Sequence, residues 1–126
     1  MTLTTTILLV LGLYMLQLFL QETSRFGFDL RGIVGNRDNA PPLSTLAGRL
    51  ERAKGNMLES LPLFLGIALL AVAKGRETAL VNNAASVFLF ARIAYVPAYV
   101  SGLPMLRSAV WLVGVASLVV MACAIV

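Results

Sequence analysis

Arg52, Asn56 and Glu59 stand at i, i+4 and i+7. In a helix this spacing places all three side chains on one face. Arg49 extends the same stripe by one turn. Pro62 follows three residues after Glu59. A proline inside a helix frees the carbonyl four residues before it and kinks the helix, so the stripe ends just ahead of an expected bend. Arg92, Tyr95 and Tyr99 stand at i, i+3 and i+7, a second single face. Arg107-Ser108 follows the turn Gly102-Leu103-Pro104. Facing inward together, these residues form a pocket of guanidinium, carboxylate, amide and phenol groups, which suits a small, charged, peptide-like ligand. Spacing alone leaves other roles open. Arg52, Glu59 and Arg92 also read as a salt-bridge network joining helices. Tyr95 and Tyr99 also read as interfacial anchors, and Arg107 as a charged helix end.

The elements that must position these residues are membrane spans. Of 126 residues, 59% are apolar and 13% charged, the charged share being about half that of soluble domains. So little polar surface cannot cover a water-soluble globule, and lipid is the better solvent. Residues 1–21 carry no charged side chain and have the length of one helical span. They lack the basic start and short apolar run of a cleaved signal peptide, so a retained span is expected. A charged segment rich in Gly and Pro follows, through Pro41-Pro42, and reads as a polar loop. Ser44 or Thr45 then opens the second helix. Lys74-Gly75-Arg76-Glu77 and Gly102-Leu103-Pro104 read as turns. The expected architecture is an all-α membrane protein, a single four-transmembrane-helix bundle with spans at about 2–21, 44–73, 78–100 and 106–125.

Charge sets the expected topology. The first loop and adjoining helix start carry Arg25, Arg31, Arg37, Arg49, Arg52 and Lys54, and the third turn adds Arg107. The second turn has only Lys74 and Arg76. Positive-inside bias places the first and third loops in the cytoplasm and both termini outside. A bacterial inner membrane is the expected location. The net charge of +4 therefore belongs to membrane topology, and no basic-aromatic surface run points to nucleic acid. The chain has no histidine, which removes the usual histidine base and histidine metal site. No metal is expected. Cys123, the single cysteine, lies in an apolar run and reads as a small buried residue.

The segment Arg52-Ala53-Lys54-Gly55-Asn56-Met57-Leu58-Glu59-Ser60-Leu61-Pro62 resembles the second-helix signature of the MAPEG family, the membrane-associated proteins in eicosanoid and glutathione metabolism. The shared pattern is Arg-x3-Asn-x2-Glu-x2-Pro. Phe90-Ala91-Arg92-x2-Tyr95-x3-Tyr99 resembles the third helix of that family, and Arg107-Ser108 the start of its fourth. The three motifs occur in order and cover most of the chain from Pro41 onward. The resemblance implies a homotrimer that binds glutathione, as co-substrate, between neighbouring subunits near the cytoplasmic face. It implies that Arg52, Asn56, Glu59, Tyr95 and Tyr99 hold the tripeptide, with Arg107 and then Ser108 beside its sulfur. It also implies that Arg25 or Arg31 reaches a glutathione carboxylate. The chain departs from some members at Gly55, Ser60 and Tyr95, where they carry a basic residue, a tyrosine and a histidine.

The expected function is that of a membrane-bound glutathione transferase or peroxidase. Its partners would be a lipophilic electrophile or lipid hydroperoxide, together with membrane lipid. Two alternatives belong to other classes. A small four-helix transporter would need a membrane-buried carboxylate in its first span, where this chain has only Gln17 and Gln21 as strongly polar residues. A non-catalytic membrane scaffold of the same fold would need none of the site chemistry.

Overall fold

A computed structural model of the chain describes residues 1–26 and 45–126. They form four helices: α1 (Leu3–Phe26), α2 (Thr45–Ala73), α3 (Ala79–Val100) and α4 (Pro104–Ile125). No strand occurs among the described residues. All four helices contain stretches long and apolar enough to cross a bilayer, and the protein is an integral multi-pass membrane protein. The arginines proposed from the first loop, Arg25 and Arg31, lie outside the described side chains.

The helix ends follow from local sequence. Helix α2 ends in a Schellman motif built on Gly75, whose φ is +67°. The amide of Arg76 donates to Ala71 O at 2.8 Å and that of Gly75 to Val72 O at 3.1 Å, which satisfies carbonyls the helix leaves open. Thr78 then caps α3, its hydroxyl accepting from Val81 N at 3.2 Å. Pro104 opens α4 at a first-turn position that needs no amide donor. Lys74 Nζ donates to Ile125 O at 2.7 Å, so the α2–α3 turn caps the far end of α4.

Helices α2 and α3 are central. Helix α1 packs against both of them, and α4 packs against both from the other side. Helix α3 is the most enclosed of the four. The inner stripe of α2 is Met57, Leu61, Phe64, Ala68 and Ala71, apolar positions recurring every three or four residues as a packed helix face requires. Phe64 stacks on Phe88 of α3 with ring centroids 4.6 Å apart and planes 7° from parallel. The closest pairing is α3 on α4, where small residues meet. A Cβ at Gly114 would lie 3.8 Å from that of Ala91, and Ser117 folds its hydroxyl onto Gly114 O at 2.6 Å. Small residues let helix backbones approach in lipid, where van der Waals packing carries much of the association.

At the other end of the bundle, Arg49 holds the α3–α4 turn. Its Nη1 donates to Val100 O at 2.8 Å. Gly102 sits at φ +77°, and a Cβ there would come within 2.9 Å of an Arg49 guanidinium nitrogen. The turn therefore needs glycine for its left-handed backbone, and a Cβ there would also push the Arg49 guanidinium aside. Gly102→Ala is expected to lower stability by about 1–2 kcal/mol from the backbone conformation alone, and further as Arg49 is displaced. Thermal unfolding in detergent, with Gly12→Ala as the uncrowded control, checks this. Equal midpoints for the two variants would contradict it.

Candidate functional site

The polar stripe of α2 lies beside its core stripe. Positions 52, 56 and 59 are offset by one or two residues from the buried positions 53, 57 and 61. The stripe therefore borders the bundle without entering its apolar centre. Arg52, Gly55, Asn56 and Glu59 of α2 line one cavity together with Tyr95 and Tyr99 of α3 and Arg107 of α4, with a volume of about 490 Å³. Six of these residues are those proposed from sequence and come together here, while Arg92, the third member of the α3 stripe, does not line the cavity.

Ring and guanidinium contacts fix the walls. Arg52 Nε donates to the Tyr99 hydroxyl at 3.0 Å. The Arg107 guanidinium carbon lies 5.0 Å from the centroid of the Tyr99 ring and that of Arg52 lies 5.7 Å from it. Both cations thus lie within cation–π range of one ring. Tyr95 and Tyr99 lean together, with centroids 5.7 Å apart and planes tilted by 58°. Tyr95 is buried, so it is a wall of the bundle and does not anchor at the lipid interface.

Arg92 occupies a different place from its stripe-mates. It is only 4% exposed. Its Nη1 donates to Asn56 Oδ1 at 2.8 Å, and its guanidinium carbon lies 4.3 Å from the Tyr95 ring centroid. Among the described residues no ion pair joins Glu59 to Arg52 or Arg92. The link between α2 and α3 here is an arginine-amide bond, and the carboxylate is left exposed at the cavity rim.

Two further spaces adjoin this cavity. A recess of about 200 Å³ is lined by Asn56, Tyr95, Arg107, Ser108 and Trp111. Ser108 lies here, outside the lining of the larger cavity. An apolar groove of about 390 Å³ runs on between α2 and α4, from Asn56, Glu59, Ser60 and Leu63 to Trp111, Val115 and Ala122. Asn56 lines all three spaces. Trp111 lines both recess and groove. Neither Trp111 nor the groove stands out in the sequence. The available signal was a lone tryptophan four residues after Arg107, one turn along the same face.

Chemically, the site joins a compartment of two cations, a carboxylate, an amide and two phenols to an apolar channel. The described residues hold no cluster of three or more His, Cys, Asp or Glu side chains able to bind a metal.

One of the comparisons with known proteins bears on this architecture. No curated protein and no solved structure matches the chain. The sequence model of the MAPEG family matches residues 1–126, the full length of the sequence. The chain belongs to the MAPEG family, a family of membrane helical bundles associated with glutathione and eicosanoid metabolism.

Proposed function

We propose that the protein is a membrane-bound glutathione transferase or peroxidase acting on lipophilic electrophiles or lipid hydroperoxides. The observation that carries this reading is the adjacency of the polar cavity and the apolar groove, which share Asn56 and Glu59 as lining residues. A thiol peptide and an apolar substrate would meet at one point, beside Arg107 and Trp111.

Glutathione carries two carboxylates, one ammonium group and a thiol. Arg52 suits a carboxylate, because a guanidinium donates in a planar fork and stays charged. Glu59 suits the ammonium. Asn56, Tyr95 and Tyr99 supply the remaining polar wall. Arg52 and Glu59 are exposed in the single chain. A homotrimer, with each pocket closed by a neighbouring copy, would cover them and exclude water.

Arg107 lines both the polar cavity and the recess that leads toward the groove. A free thiol has a pKa of about 8.5, so only a few per cent is thiolate at neutral pH. A guanidinium beside the sulfur stabilises the anion. In transfer, the thiolate sulfur bonds to the electrophilic carbon and the leaving group departs with its electron pair. In peroxide reduction, the sulfur attacks the O–O bond and releases the alcohol. A second glutathione then resolves the oxidised sulfur to a disulfide and water. Ser108 lies in the same recess and is the second donor for the developing anion.

The excess of arginine at the α2 start and the third turn supports an orientation with these ends in the cytoplasm. In a bacterial inner membrane the pocket would then face the cytoplasmic thiol pool. A reporter active only outside the cytoplasm is expected to be active when fused after Val126. Activity from a cytoplasm-only reporter at that position would reverse the orientation.

The reaction itself is tested by turnover of purified protein with glutathione and either an activated chloronitroarene or cumene hydroperoxide. Arg107→Ala is expected to lower kcat by about a hundredfold, the usual loss when one donor to a developing anion is removed. Full turnover in that variant would remove Arg107 from the chemistry. Val115→Trp, which fills the groove, is expected to raise KM for the larger apolar substrate and leave that for glutathione unchanged.

A further inference from the structure

Arg92 and Asn56 carry an inference that rests on the reading of the pocket above and deepens it. A guanidinium has five N–H donors and no acceptor. Arg92 Nη1 meets Asn56 Oδ1 at 2.8 Å, so the oxygen end of the Asn56 amide must face Arg92. The opposite orientation would set donor against donor. The other two nitrogens of Arg92, Nε and Nη2, are buried without a hydrogen-bond partner. The bond to Asn56 is therefore the one hydrogen bond of this guanidinium among the described residues. Turning the amide over would leave a buried cation with none, which is strongly disfavoured.

The consequence falls on the other end of the amide. Asn56 lines the polar cavity, the recess and the apolar groove. With Oδ1 held by Arg92, the group it presents to these spaces is Nδ2, a donor of two N–H bonds. No described residue accepts from it. We propose that Arg92, which lines none of these spaces, is a positioning residue that fixes Asn56 as a hydrogen-bond donor at their junction. Asn56 would then recognise an acceptor on the thiol ligand, a carboxylate or carbonyl oxygen. Arg92 would set which end of the amide the ligand meets without touching the ligand.

Asn56→Asp separates this role from simple helix glue. Aspartate keeps an oxygen for Arg92 and makes that bond charge-assisted, but it removes the donor. The expected result is an unfolding midpoint equal to or above that of the parent, with glutathione affinity lower by at least about tenfold. Parent-like affinity in Asn56→Asp overturns the proposal. A second arm needs no ligand. In protein labelled with nitrogen-15 at asparagine, the side-chain NH2 pair of Asn56 is identified by its loss in Asn56→Asp. It is expected as one sharp pair in the parent, broadened or doubled in Arg92→Met, and returned to one pair in Arg92→Lys, which restores a donor. An Asn56 pair indifferent to Arg92→Met overturns the proposal. If the parent binds no glutathione, the proposed function fails, while the response of the Asn56 pair still decides the orientation.

Discussion

A guanidinium inside a membrane span must find partners within the protein, because lipid offers none. Arg92 is such a group, and its bond to Asn56 ties the two central helices at the depth of the cavity. The contact with the Tyr95 ring places that phenol against the same cation. From these two contacts the cavity takes its floor. Asn56 and Tyr95 are held from behind, and the stripe on either side of Asn56 faces the space between α2 and α4. Removing the cation would leave the amide free to rotate and the tyrosine without its neighbour.

A second cation does comparable work at the rim. Arg49 fills the space under Gly102 and holds the carbonyl of Val100. Helix α4 begins two residues after Gly102, so the position of Arg107 depends on that turn. Arg52 and Arg107 then share the Tyr99 ring. Four arginines thus divide the labour. Arg49 and Arg92 build, each bonded to an oxygen of a neighbouring helix and neither lining the cavity. Arg52 and Arg107 line the cavity, where an anion would meet them. The Lys74 bond to Ile125 closes the opposite end of α4, which leaves the groove between two fixed ends.

Much of this was legible in the sequence, for physical reasons. A span needs about twenty residues without charge, and residues 1–21 and 108–126 show this directly. Helical spacing also puts Arg52, Asn56 and Glu59 on one face whatever the tertiary structure. Spacing does not say which face of a neighbouring helix is met. The sequence therefore leaves Arg92 as one more member of its stripe and allows an ion pair with Glu59, where the structure shows a bond to the Asn56 amide. Arg49 reads from sequence as a charge on the polar stripe and a topology signal. Its packing against Gly102 depends on a turn about fifty residues away, which no local pattern reports. The apolar groove is likewise invisible, since its residues have the composition of any lipid-facing surface.

The central claim is that the joined polar cavity holds glutathione. Equilibrium calorimetry of the detergent-purified protein with glutathione tests it most directly. Saturable binding that disappears in Arg52→Ala and in Glu59→Gln is the predicted result, because each variant removes one charge complementary to the zwitterionic peptide. Absence of heat up to millimolar glutathione, or binding unchanged in both variants, would contradict the claim and leave the four-helix membrane fold standing without this ligand.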